Sequence, residues 1–223
     1  MQPLLFLDIE TTGHEPLKRF GHLALTRDRK PRTLLEPWHE IIEIGALWVD
    51  PHDFHVIQEF EEKIAPKFPE RCLPDLINHY PERAARGEWK GVWSLEIVLT
   101  LFLAKCGHFE RSHLVGQNFF FDWTFLTVAL AQCGITEAEV SKVLHYKKMD
   151  TASMAVQALL GEGELYDPAN FSLRSGRLQE VLGIKPEPLP HTALNGAYQA
   201  YNVFVKLQEL KRRVMDIPAP AKA

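Results

Sequence analysis

The segment Leu4-Leu5-Phe6-Leu7-Asp8-Ile9-Glu10 constrains this chain more than any other. Its first four residues are apolar without interruption, as in a strand buried on both faces. It ends in two acids. Side chains alternate along a strand, so Asp8 and Glu10 point one way and Ile9 points into the opposite, apolar side. Two carboxylates held this closely repel one another unless a cation, a proton or a basic group compensates them.

The remaining segments suit an α/β sheet covered by helices better than a sandwich or a helical bundle. Further strands are expected at residues 41–49, 54–64, 113–115 and 144–149. Asp50-Pro51-His52-Asp53 is the expected turn between two of them. Helices are expected at Pro74–Tyr80, 95–105, 122–133, 151–160, 174–182 and 192–212. Ser94 is placed to cap one helix, while Gly107, Gly134 and Gly183 stand at helix ends. Residues 82–91 read as a polar connection. The proline-containing stretch 14–38 reads as an excursion that holds a short hairpin. The whole is read as one domain over residues 1–213, with that excursion and a loose tail at 214–223.

Composition excludes some classes. With 46% hydrophobic and 24% charged residues the chain is not of disordered type. Its net charge of −4 argues against charge-driven coating of nucleic acid, though it leaves room for a local basic groove. Cys72, Cys106 and Cys133 show no metal-pair spacing and no disulfide framework. The start has no secretory pattern, and no apolar run reaches membrane-spanning length, so a cytoplasmic protein is expected.

Three segments carry chemistry together. An isolated Asp-Ile-Glu is more often a solvated strand end. Asp122, after Phe119-Phe120-Phe121, is placed to cap a helix or to face a cleft. The phenylalanines can stack on bases, but core packing suits at least two of them. Asn118 can bond a phosphate or sugar, or hold a turn. His191 follows Pro190 and opens the last helix. An imidazole can take a proton from attacking water, yet a lone histidine at a helix start is usually structural. Hard oxygen ligands such as these acids suit Mg²⁺ or Mn²⁺.

The combination resembles the DEDDh branch of the DnaQ-like 3′–5′ exonucleases. Asp8-Ile9-Glu10-Thr11-Thr12-Gly13 is similar to the first motif of that family. Ile41-Ile42-Glu43-Ile44-Gly45-Ala46 resembles its second strand, and Gly116-Gln117-Asn118 through Asp122 its middle motif. Asp150-Thr151 resembles the start of a later helix. His191-Thr192-Ala193-Leu194-Asn195-Gly196 resembles the last motif except at its end. The resemblance spans about residues 4–208 and implies a ribonuclease H-like mixed central sheet flanked by helices. It implies ions held by Asp8, Glu10 and Asp122, with His191 as general base. Thr11, Gly13, Asn118 and Phe119 are then candidate substrate contacts. The implied partners are 3′ ends of single-stranded DNA or RNA, the product is a nucleoside 5′-monophosphate, and a homodimer is allowed. The family places a fourth acid where this chain has Gly196. That points to a weakened metal site, or to an inactive protein that binds nucleic acid or a partner.

Candidate replacement ligands are Asp150, expected mainly as a helix cap, Glu187, expected to face solvent from a proline-rich loop, and a water molecule. Glu43 is expected to play a supporting part. Lys147, Lys148, Arg174 and Arg177 are candidate phosphate contacts or ordinary solvated charges. Trp89 and Trp93 suit core or lid packing better than a substrate wall.

Overall fold

The computed structural model describes residues 2–25, 31–159 and 175–215. A five-stranded sheet forms its centre, in the order β5-β4-β1-β6-β7. These strands are β1 (Leu4–Thr11), β4 (Ile41–Val49), β5 (Val56–Lys63), β6 (Ser112–Gly116) and β7 (Leu144–Asp150). β4 runs antiparallel to both β5 and β1, while β6 lies parallel to β1 and β7 parallel to β6. The sheet is therefore mixed, as expected. Leu5, Phe6 and Leu7 are fully buried, which is why β1 tolerates no polar residue before Asp8.

Helices cover both faces. They are α1 (Tyr80–Ala85), α2 (Leu95–Cys106), α3 (Phe120–Gln132), α4 (Glu137–Val143), α5 (Thr151–Leu159), α6 (Ser175–Leu182) and α7 (Ala193–Met215). Leu5, Leu7 and Ile9 pack with Phe102 of α2 and with Phe125 and Leu126 of α3. Leu4 and Phe6 pack on the other side with Ala197, Ala200 and Phe204 of α7. Strand alternation then puts Asp8 and Glu10 on the α7 side. Gly45 faces Asp8 across the β1–β4 ladder. A Cβ there would lie 2.1 Å from the Ala193 carbonyl carbon, so only glycine lets the start of α7 settle this close to the sheet.

The excursion contains a two-stranded antiparallel pair, β2 (Leu17–Leu25) with β3 (Pro31–Pro37), longer than the short hairpin expected. The Pro74–Tyr80 segment is not helical. A single 3₁₀ turn at Pro69–Arg71 precedes it, and α1 begins only at Tyr80. His79 takes a left-handed conformation (φ 52°), and Pro81 lies in the first turn, where its missing N–H costs nothing. The polar connection expected after residue 82 therefore starts inside a helix. Helix α4 was not expected. Thr136 and Glu139 form a reciprocal capping box at its start.

Gly134 and Gly183 follow their helices in left-handed conformation, as anticipated. Gly107 ends α2 without it, at φ −67°, and Ser94 stands at the N-cap without a capping side-chain bond. The three cysteines are free, and burial pushes the Cys106 thiol up to about 12. Among the described residues no helix is long and apolar enough to cross a membrane. Arg174, the Arg177 side chain and the tail from 216 lie outside the described residues.

Candidate functional site

The acids converge because β6 leaves β1 early. Parallel pairing of the two strands ends at Phe6 and Val115. Beyond it the Ile9 N–H is open on that edge, and Asp122 fills the place, accepting from it at 3.0 Å. Asp122 thus ties the first turn of α3 to β1, and does not cap the helix. Gly116 makes the approach possible. A Cβ on it would meet the Phe119 ring at 2.2 Å.

Glu10 is held from the other side. The Asn78 side-chain amide donates to its carboxylate at 2.9 Å and to the Thr11 carbonyl at 3.0 Å. Asn78 is buried. It lies in the segment expected to be a helix, and nothing in the local pattern marks an asparagine that reaches across to a strand.

Below them Glu43 and Arg83 form a buried ion pair at 2.7 Å. Glu43 also accepts from the Ala193 N–H at 3.2 Å, and so pins the first residue of α7. Thr192 accepts from the Asn195 N–H at 3.3 Å, a local cap for the same helix end. Arg83 donates to the His191 carbonyl at 3.3 Å, and the His191 N–H donates to Ile77 at 3.3 Å. The histidine backbone is therefore fixed from two directions. Its Nδ1 stands 3.4 Å from a Glu187 carboxylate oxygen.

Glu187 corrects an expectation. Its side chain is only 7% exposed, not solvent-facing. One of its oxygens, Oε1, is buried without a hydrogen-bond partner. The loop folds back over the β1 end, which a proline-rich composition does not reveal. Asp150 does cap α5, through bonds to Ala152 and Ser153, and also accepts from the Asn118 N–H at 2.8 Å.

The electrostatics are those of crowded acids. Burial, then the charges of Asp122 and Glu10, hold the Asp8 carboxyl well above its ordinary range. Burial does the same to Asp122, against the Ile9 hydrogen bond. Glu10 is raised to about 7 by burial, with Asn78 opposing. Glu187 is raised to about 8 by burial and by Glu10. Burial lowers His191, so its ring is neutral near pH 7.

Gly196 lies one helical turn into α7. A Cβ at this position would fall 2.3 Å from Asp8 Oδ2. The Asp8 carboxylate therefore occupies the space where a side chain at 196 would begin. Among the described residues at this end of the sheet, the donor atoms that all lie within 4.8 Å of one another belong to Glu10, Glu187 and His191. Asp8 and Asp122 do not complete such a cluster with Glu10. The unpartnered oxygen and the excess of buried acid fit a cation.

The expected substrate contacts divide. Thr11 is buried, and its hydroxyl donates to the Gly13 carbonyl at 2.7 Å. Gly13 lies against the His39 ring, where a Cβ would come within 2.4 Å. Both therefore shape the turn after β1. Asn118 is exposed at φ 54°. Phe119 is 3% exposed and belongs to the core, whereas Phe120 is 81% exposed. Of these two rings, Phe120 is the one open to solvent. Lys148 lies over the Trp123 ring at 3.9 Å, and Lys147 is exposed. Trp89 packs on Tyr80, and Trp93 is 53% exposed. A cleft of about 430 Å³ between α3, α4 and β7, bordered by Trp123, Val140 and Tyr146, includes none of Asp8, Glu10, Asp122 and Glu187.

No family model and no curated relative matches the sequence. Solved structures match the fold. E. coli exonuclease I, crystallised with an oligonucleotide, superposes with a TM-score of 0.66 at 20% identity over 97% of this chain. The chain spans 43% of that protein's length. The nuclease domain of 3′hExo, a DEDDh family member bound to rAMP, gives 0.61 at 13% identity and covers 93% of this chain and 92% of that one. This chain shares the fold of these exonucleases. In this chain Asp8 and Glu10 stand at the end of β1, Asp122 in the first turn of α3, and His191 two residues before α7.

Proposed function

We propose that this chain is a divalent-metal-dependent 3′–5′ exonuclease of reduced activity, acting on 3′ ends of single-stranded DNA or RNA. One observation carries the reading: buried, uncompensated acids at the end of β1 stand beside a neutral, backbone-anchored His191. The likeness to exonuclease I and 3′hExo supports it at the level of fold.

Asp8, Glu10 and Asp122 would hold Mg²⁺ or Mn²⁺, which supplies activation of water and charge stabilisation on the phosphate. The chain's own residues do the rest. Asn78 orients Glu10, and Ile9 orients Asp122. His191 accepts the proton of the attacking water through its ring. Phe120 offers a face to a terminal base, and the exposed Asn118 a polar contact. The released product is a nucleoside 5′-monophosphate.

Gly196 supplies no ligand, so a cation would be held by fewer charges and less firmly. The packing of Asp8 against Gly196 favours a second reading, a protein that binds nucleic acid without turnover. Gly196→Asp separates the two. The Asp8 carboxylate ends a side chain that can turn, so the new residue is accommodated by rotation of Asp8 toward a bound ion. A rise in 3′ shortening of single-stranded DNA or RNA in Gly196→Asp supports a competent scaffold short of one ligand. A folded Gly196→Asp protein that binds oligonucleotides and stays inert favours the binding reading.

A further inference from the structure

We propose that Glu10, Glu187 and His191 form a site for a divalent transition-metal ion of the Zn²⁺ or Co²⁺ class, with donors different from the all-carboxylate set of Asp8, Glu10 and Asp122. Their donor atoms all lie within 4.8 Å of one another. Oxygen and nitrogen donors sit about 2.0–2.2 Å from such an ion, so side-chain movements of roughly 1 Å close the set. The ligands come from the end of β1, from the loop before α7 and from the residue preceding Thr192, with Glu187 and His191 four positions apart.

A second observation points to a ligand. The Glu187 side chain is 93% buried, and its Oε1 accepts no hydrogen bond. A carboxylate oxygen shut away from water without a donor is unfavourable unless something else meets it. Arg83, the buried cation that bonds the His191 carbonyl, is engaged by Glu43 and Glu88. Glu10 is already oriented, with Asn78 on one oxygen. The His191 backbone is anchored by Ile77 and Arg83. Supported ligands of this kind hold an ion more tightly than free ones.

The donor types select the ion. Mg²⁺ prefers oxygen and water in octahedral array, whereas an imidazole with two carboxylates suits Zn²⁺ or Co²⁺. Occupation takes the ring that the exonuclease reading uses as base. Resting on that reading, Zn²⁺ here inhibits cleavage supported by Mg²⁺.

The test is direct binding to the full, metal-stripped chain. Zn²⁺ is titrated by calorimetry, and Co²⁺ by its visible absorption. We expect one saturable site, weakened by at least roughly 10–100-fold in Glu187→Gln and in His191→Gln, and kept in Asp122→Asn. The NMR signals of the His191 ring nitrogens should shift on Zn²⁺ addition to the unaltered chain, a readout independent of any variant's folding. Unchanged Zn²⁺ affinity in folded Glu187→Gln, loss of binding in Asp122→Asn alone, or a His191 ring indifferent to Zn²⁺ overturns the site. Since the readout is binding, a chain that cleaves nothing can still pass this test, and an active nuclease can still fail it.

Discussion

At the scale of single residues, the acids at the end of β1 behave as a group whose charge is not matched. Glu10 and Glu187 have carboxyls raised to about 7 and about 8, chiefly by burial. Each is protonated more readily in the folded chain than in the unfolded one. Their favourable contribution is complete below the unfolded carboxylate range and is lost as pH rises through the folded values. His39, buried, and His191, half-buried, have the opposite sign, but their effect ends near the ordinary histidine value of about 6.5. Between about pH 7 and 9 the acids should dominate. Thermal denaturation of the metal-free chain should show the melting temperature falling over that window. Saturating Mn²⁺ should flatten the fall, and a melting temperature that rises over it without metal would contradict the picture. Asn78 is the other residue-scale test. Asn78→Ala removes the donor to Glu10 and Thr11, and should cost about 1–3 kcal/mol of stability in urea denaturation.

Elements show why some parts of the site could be read beforehand and others could not. The run Leu4–Leu7 announces a strand covered on both sides, and Asp8 and Glu10 follow from alternation alone. Helix α4 is absent from the expected helices: Thr136 and Glu139 have capping-box spacing, but seven residues give too little periodicity to stand out. Thr136→Ala should lower stability by about 1 kcal/mol. The segment before α1 has apolar residues that suit a helix, but His79 in left-handed conformation and the side-chain bonds of Asn78 hold it against β1 instead. The contact of α7 with the sheet depends on Gly45, whose lost Cβ admits the Ala193 backbone. Backbone cannot yield as a side-chain tip does. Gly45→Ala should therefore cost about 3 kcal/mol or more, at the upper end of overpacking effects, read as a lower urea midpoint. A midpoint equal to that of the unaltered chain would show that α7 does not depend on this approach.

On the scale of the whole molecule, the fold was the more legible part and the depth of loops the least. Sequence order placed strands and helices, and the motifs placed Asp8, Glu10, Asp122 and His191 in one region. Nothing in the composition of a proline-rich loop says whether Glu187 faces water or lies over the acids, because burial is decided by how α6 and α7 are joined. The same holds for Phe119 and Phe120. Adjacent in sequence, one fills the hollow beside Gly116 and the other is left in solvent.

The most direct measurement is 3′ shortening of 5′-labelled single-stranded DNA and RNA by the unaltered chain and by Asp8→Ala, with Mg²⁺ and with Mn²⁺. A slow stepwise ladder from the unaltered chain, lost in Asp8→Ala while the melting temperature is kept, is the expected result. A ladder that survives in Asp8→Ala, or none from the folded unaltered chain on either substrate with either ion, would contradict the central claim that these acids run a nuclease.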